Sequence, residues 1–127
     1  MTETHALTEL QLAILQVLWE DGEATTQAIH ARLTEERGLA LTTVATILSR
    51  LEKRGVLAHR KEGRQYVFRP LVTRPEVRRS KIRELMETLF EGDAAALVHH
   101  LVRSEETAPE DLARIKAMIA EAEAARD

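Results

Sequence analysis

Apolar residues recur with a helical period in three successive stretches before residue 55, and then the period changes. Leu10, Ile14, Val17 and Leu18 fall on one face of a first predicted helix. Thr8-Glu-Leu-Gln11 ahead of them has the Ser/Thr-x-x-Glu/Gln form of a capping box, and Gly22 supplies a stop. Thr25 or Thr26 can cap a second helix that turns Ile29 and Leu33 inward and stops near Gly38. Leu39-Ala-Leu41 reads as a short extended link, after which Thr42 is expected to cap a third helix, Thr42–Arg54. Its buried stripe is Val44, Ile47, Leu48 and Leu51, an i, i+3, i+4, i+7 set, and Gly55 after Lys53-Arg54 is a C-terminal signature.

From Val56 the pattern alternates. Val56–Lys61 and Gln65–Arg69 are predicted strands, joined by Glu62-Gly63-Arg64 and closed by Pro70. Three short helices followed by a hairpin describe a winged helix-turn-helix domain over residues 1–71. The remainder, 72–127, is helical again. Thr73-Arg-Pro-Glu76 has the form of a second capping box, ahead of a helix with Ile82, Leu85, Met86, Leu89 and Phe90 on one face. Gly92 breaks it, and Asp93 begins a short helix with Leu97, Val98, Leu101 and Val102. Thr107-Ala-Pro-Glu110 is expected to cap a last helix bearing Leu112, Ile115, Ile119 and Ala122. The predicted fold class is mainly α with a small β-hairpin: a winged helix-turn-helix domain plus a C-terminal helical dimerisation region. After Phe90 the stripes are narrow and the helices short, too little for a self-contained core. The apolar faces either fold back or pair with a second copy. Pairing buries Leu85, Leu89, Phe90, Leu97, Leu101, Leu112, Ile115 and Ile119, and a homodimer is the better solution.

Composition narrows the class. Hydrophobic residues make up 44% of the chain and charged residues 31%, a balance expected of a folded rather than a disordered protein. Aromatic residues are only 3%, so the core must be built from aliphatic side chains. With no cysteine there is no disulfide, thiolate metal site or cysteine nucleophile. Met1-Thr-Glu-Thr-His5 lacks a signal pattern and no apolar run reaches membrane-spanning length, so a cytoplasmic address without membrane insertion is expected. The net charge of −3 conceals a local excess, because residues 50–70 hold 7 basic side chains against 2 acidic ones. Clustered positive charge in the middle of the chain is the footprint of a nucleic-acid surface.

The outer face of the third helix carries Thr42, Thr43, Ala45, Thr46, Ser49, Arg50 and Lys53. Small side chains let a helix enter the major groove, threonines can touch base edges or phosphates, and the cations lie at its far end. Arg60, Lys61 and Arg64 frame the hairpin tip, where they would meet backbone phosphates or enter the minor groove. Tyr66 and Phe68 are read as packing residues, Phe68 above all, rather than as a stacking platform. Among the five histidines, His5, His30 and His59 are scattered. His99 and His100 are adjacent and point about 100° apart on a helix, so no metal site or cofactor is expected. No Gly-rich phosphate loop, HExxH or Gly-x-Ser-x-Gly motif is present, and no enzymatic function is expected.

Three segments together resemble the penicillinase-repressor (BlaI/MecI) family. They are Leu7-Thr-Glu-Leu-Gln with Leu18-Trp19, Thr43-Val-Ala-Thr-Ile-Leu-Ser-Arg-Leu-Glu-Lys-Arg-Gly55, and Glu62-Gly-Arg with Tyr66-Val-Phe-Arg-Pro70. The likeness continues through Phe90-Glu-Gly-Asp and Leu97-Val98. It implies a homodimeric transcriptional repressor that binds double-stranded, palindromic operator DNA, with base contacts from Thr42, Thr43 and Thr46 and a motif arginine at Arg50. It also implies derepression when a membrane-bound sensor metalloprotease signal leads to cleavage in the C-terminal helices. The equivalent stretch here is His99-His100-Leu101, which makes His100–Leu101 the candidate bond. The competing class is a winged-helix protein–protein adaptor without specific DNA binding, which has no general reason to keep the basic segment.

Overall fold

In the computed structural model, residues 7–126 are described, and the Met1–His5 segment read above lies outside them. The order of elements is α1 (Glu9–Asp21), β1 (Ala24–Thr25), α2 (Thr26–Arg37), α3 (Leu41–Lys53), β2 (Leu57–Glu62), β3 (Gln65–Pro70), α4 (Arg74–Leu89), α5 (Ala94–Arg103) and α6 (Pro109–Arg126). The chain divides into two compact units, Met1–Glu84 and Leu85–Asp127. The first extends past the boundary expected after residue 71, because Val72 and Val77 are buried in its core.

Local chemistry explains the element ends. Thr8 accepts from the Gln11 N–H while Gln11 Oε1 accepts from the Thr8 N–H, so the capping box of α1 is complete. Thr25, not Thr26, caps α2 through the Ala28 N–H. Helix α3 begins one residue before the expected Thr42 cap: Ala40 is the N-cap, extended at φ −73° and ψ 149°, and no side chain caps it. The helix ends in a double hydrogen-bonded turn, Gly55 N to Glu52 O at 3.0 Å and Val56 N to Leu51 O at 3.0 Å. That turn needs a left-handed residue, which Gly55 provides at φ 79°. Val56 is therefore part of the helix stop, and β2 starts at Leu57.

The sheet was only partly expected. Strand β3 lies in the middle, in the order β1-β3-β2, antiparallel to both neighbours. Ala24 pairs with Phe68 and Thr25 with Val67, a two-residue bridge too short to leave a periodic signal in the sequence. On the other side Leu57 pairs with Pro70 and Glu62 with Gln65, leaving Gly63-Arg64 as a two-residue loop. Gly63 has φ 63° at the first central position, where hairpin turns of the II′ kind demand glycine.

The core of the first unit is aliphatic apart from Phe68. Ile14, Leu15 and Leu18 of α1, Ile29 of α2, Val44, Leu48 and Leu51 of α3, and Val56 and Leu57 are closed to solvent. Each such side chain contributes roughly 1.5–3 kcal/mol by leaving water. Ile47, expected in this stripe, is only partly buried and packs against the edge of the cluster. Leu10 likewise is partly buried. Exposed ion pairs tie α1 to α2, Arg37 to Glu9 and Arg32 to Glu20 and Asp21, and contribute little by comparison. The Arg37 hydrogen bond holds the Glu9 carboxyl below its ordinary range.

The second unit has no core of its own among its described residues. No side chain of α5 or α6 is buried. Asp93 caps α5 through the Ala96 N–H at 3.0 Å, as expected. Thr107 does not cap α6; its hydroxyl donates to Leu101 O, and α6 starts after Ala108. The Thr73 hydroxyl accepts from the Glu76 N–H at α4, but the Glu76 carboxylate turns to the Thr73 hydroxyl instead of completing a box. Phe90 lies just beyond α4 and packs edge-on against His100, with ring centroids 6.1 Å apart.

Candidate nucleic-acid interface

The burial of Val44, Leu48 and Leu51 fixes the rotation of α3 about its axis, so the opposite face is presented to solvent. Thr42, Thr43, Ala45, Thr46, Ser49, Arg50 and Lys53 are all exposed there. The Thr46 hydroxyl donates to the Thr42 carbonyl at 2.9 Å, so its proton is committed. What Thr46 offers outward is a methyl group and an acceptor oxygen. No side chain covers the N-cap of α3, and although the Thr43 and Val44 N–H groups donate to Ala40 O, those of Leu41 and Thr42 ahead of them have no partner inside the helix.

The entry of α3 is held by α2. Nε2 of His30 lies 2.7 Å from Leu39 O, a contact the ring makes by donating an N–H. At its exit, the Arg54 guanidinium reaches Gln11 Oε1 on α1 at 3.4 Å. Glu52, two residues before Arg54, pairs with His59 Nδ1 on β2. Helix α3 and the hairpin are thus joined by a direct side-chain contact as well as by the core.

The wing does not present its cations equally. Lys61 pairs with Tyr66 across the strands, and its ammonium lies 5.9 Å from the Tyr66 ring centroid. Arg64 occupies the turn and is exposed. Arg60 is engaged by two carboxylates: Glu23, ahead of β1, at 2.7 Å and Glu62 at 2.5 Å. These hydrogen bonds, Glu23 first and Glu62 second, raise the Arg60 pKa above its ordinary value. Of Arg60, Lys61 and Arg64, expected to frame the hairpin tip, Arg64 sits in the turn itself and the other two on β2. Phe68 is buried as expected, while Tyr66 is half exposed and stacks at a tilt on His59, centroids 4.6 Å apart.

Glu23, Glu52 and His59 are the residues that sequence reasoning missed here. The Glu23–Arg60 pair spans 37 positions, and no local pattern announces it. Among the described residues no group of three or more His, Cys, Asp or Glu side chains is arranged to hold a metal. No described helix is long and apolar enough to cross a membrane.

Three helices, the third with one face in the core and the other free, and a basic two-stranded wing define a winged-helix protein of the DNA-binding class. Within that class the chain belongs to the penicillinase repressor family, whose model matches residues 7–121. It is similar to the transcriptional regulator BlaI of Mycobacterium tuberculosis, 29% identical over 106 residues that cover 81% of this chain and 77% of the relative. It is also similar to the penicillinase repressor of Bacillus licheniformis, 22% identical over 112 residues and 88% of each chain. Among solved structures, the monomeric form of Bacillus licheniformis BlaI in complex with the blaP half-operator matches 60% of this chain and 93% of its own, at 28% identity and TM-score 0.51.

The engagement of Arg60 generates a test. Glu23→Gln removes one competing carboxylate beside the wing and is expected to tighten DNA binding at low salt. Stability should change by less than about 1 kcal/mol, because the pair is solvent-exposed. Gel retardation across a salt series, with urea unfolding of the same samples, measures both. Weaker binding by the variant would mean that the pair orients the wing instead of restraining its charge.

Proposed function

We propose that the chain is a homodimeric, sequence-specific transcriptional repressor that binds a palindromic operator through α3 and the wing. The observation that carries this reading is the division of α3: a core-locked stripe on one side, and on the other a free face running from small hydroxylated residues to Arg50 and Lys53. Thr42, Thr43 and Thr46 would approach base edges or phosphates at the helix start, with Ser49, Arg50 and Lys53 following the groove. Arg64 and Lys61 would neutralise phosphates beside it, with Arg60 joining once released from its carboxylates. The relative bound to a half-operator supports DNA as the partner of this surface.

Dimerisation rests on the second unit. Leu89 is 70% exposed, Ile119 49% and Leu101 47%, and Leu85 and Leu112 are exposed beside them. Apolar side chains in such number on helices without a core call for a covering surface, and a second copy supplies it over residues 85–126. Two-fold symmetry then carries two α3 helices to half-sites about 34–36 Å apart, or a multiple of that. Derepression by cleavage at His100–Leu101 follows from family likeness. The bond lies within α5, so the helix must open locally before a protease can accept it.

Specific retardation of a palindrome from the gene's own promoter is expected. Arg50→Ala and Thr46→Ala should each weaken specific binding by about 1–3 kcal/mol, whereas Arg64→Ala should weaken all sequences alike and lower the salt slope by about one. Unchanged specific binding in both α3 variants would sink the interface and leave a protein–protein adaptor as the alternative. Separately, Ile119→Glu should shift sedimentation toward a monomer without melting the first unit; a dimer that persists would move the interface elsewhere. Mass analysis after exposure to membranes from induced cells should give a fragment ending at His100, and an intact chain after derepression rules out proteolysis.

A further inference from the structure

On the first unit, away from α3 and the wing, α1 and the start of α4 enclose a groove of about 180 Å³. Leu12, Gln16 and Trp19 line it from α1, and Arg74, Val77, Arg78 and Lys81 from α4, each set at the spacing of one helix face. Leu12, Val77 and the indole make an apolar wall. The other lining side chains include three cations and no carboxylate.

The groove is built rather than loosely assembled. Trp19 is pinned because its indole N–H donates to Val72 O at 2.9 Å. The Arg74 guanidinium lies over the ring, 5.3 Å from its centroid. Nε of Arg74 is shut off from solvent and has no hydrogen-bond partner. A donor without an acceptor in such a place is uncommon and unfavourable. Lys81 is already held, donating to Leu7 O at 2.6 Å with Glu84 at 3.8 Å. Arg74 and Arg78 are left as adjacent positive charges one helical turn apart, bordering apolar surface.

We propose that this groove binds a small organic monocarboxylate with an aromatic or branched apolar body. The carboxylate lies between Arg74 and Arg78, whose planar forks match it and stay charged at any physiological pH. It offers the Arg74 guanidinium, whose Nε lacks a partner, an acceptor. The body covers Leu12, Val77 and the edge of Trp19. The volume falls below the roughly 300–1,000 Å³ of pockets for drug-sized ligands, which restricts the ligand to about the size of benzoate. None of these residues belongs to the proposed DNA surface, so the site stands or falls independently of it.

Trp19 is the single tryptophan of the chain, and its fluorescence reports the groove directly. Benzoate titrated into the full-length protein at constant ionic strength is expected to change that emission along a saturable curve, with heat release in calorimetry on the same samples. Benzamide has the body without the charge and inorganic phosphate the charge without the body; each should bind at least about tenfold more weakly. Arg78→Gln, an exposed substitution, should weaken benzoate by a similar factor without altering the melting curve, and Arg74→Gln by more. A linear, non-saturating response, equal binding of benzamide or phosphate, or an unaffected Arg78→Gln variant would each overturn the proposal.

Discussion

Val44, Leu48 and Leu51 must be buried, and everything useful about α3 follows from how that is achieved. A helix of its length cannot persist alone in water; it is held by its apolar stripe. Sinking these three side chains among Ile14, Leu15, Leu18 and Ile29 orders the helix and fixes its rotation at once. The same step turns the threonines, Ser49, Arg50 and Lys53 outward. Ile47, at the margin of the stripe, is only partly covered, which marks where the core-facing sector ends and the free one begins. The ends of α3 obey the same constraint. Val56 is drawn into the core by the Gly55 turn, and the chain leaves the helix already aimed into β2.

The wing is then an electrostatic problem posed on a rigid frame. Strand β3 pairs on both sides, and Phe68 anchors it in the core, so hairpin cations are displayed on a fixed ladder. A net charge of −3 would repel DNA at a distance if it were spread evenly, but the basic side chains are concentrated in residues 50–70. Inside that segment the charge is graded. Arg64 is exposed in the turn, Lys61 rests over Tyr66, and Arg60 is shared between Glu23 and Glu62. To meet a phosphate in the proposed complex, a guanidinium already satisfied by carboxylates would have to give up one charge-assisted hydrogen bond for another.

How much of this was legible depended on the range of each interaction. The helices of the first unit, their stripes, the Thr8 capping box, the C-terminal role of Gly55 and the hairpin all arise from neighbours within a few residues, and the pattern of side chains carries them. Thr42 and Thr107 were misjudged as caps for a related reason: a threonine ahead of an apolar run is a good cap only if the backbone turns there. Here the backbone turned at Ala40 and Ala108. Strand β1 and the Glu23–Arg60 and Glu52–His59 pairs come from tertiary approach, and nothing near them in sequence distinguishes those carboxylates from any solvated glutamate. The groove beside Trp19 was invisible for the same reason, since its two walls lie more than fifty positions apart along the chain.

The second unit makes a different argument about stability. Its helices have sound local ends, Asp93 at α5 and the Thr107 hydroxyl on Leu101 O between α5 and α6, yet they bury no side chain among the described residues. Helices of this length, without a core, derive little stability from their own hydrogen bonds. In the proposed dimer the missing term comes from the partner, so folding of residues 85–126 and association become a single equilibrium that depends on concentration. That coupling would give the proposed proteolysis its leverage. A cut within α5 need not touch any DNA-facing residue. It would separate Leu112, Ile115 and Ile119 from the rest of the chain and remove much of the apolar surface on which the proposed association depends. Two half-sites bound by one dimer gain from high effective concentration; two separated monomers do not. Loss of the interface would therefore release an operator even though α3 and the wing remain folded and unchanged.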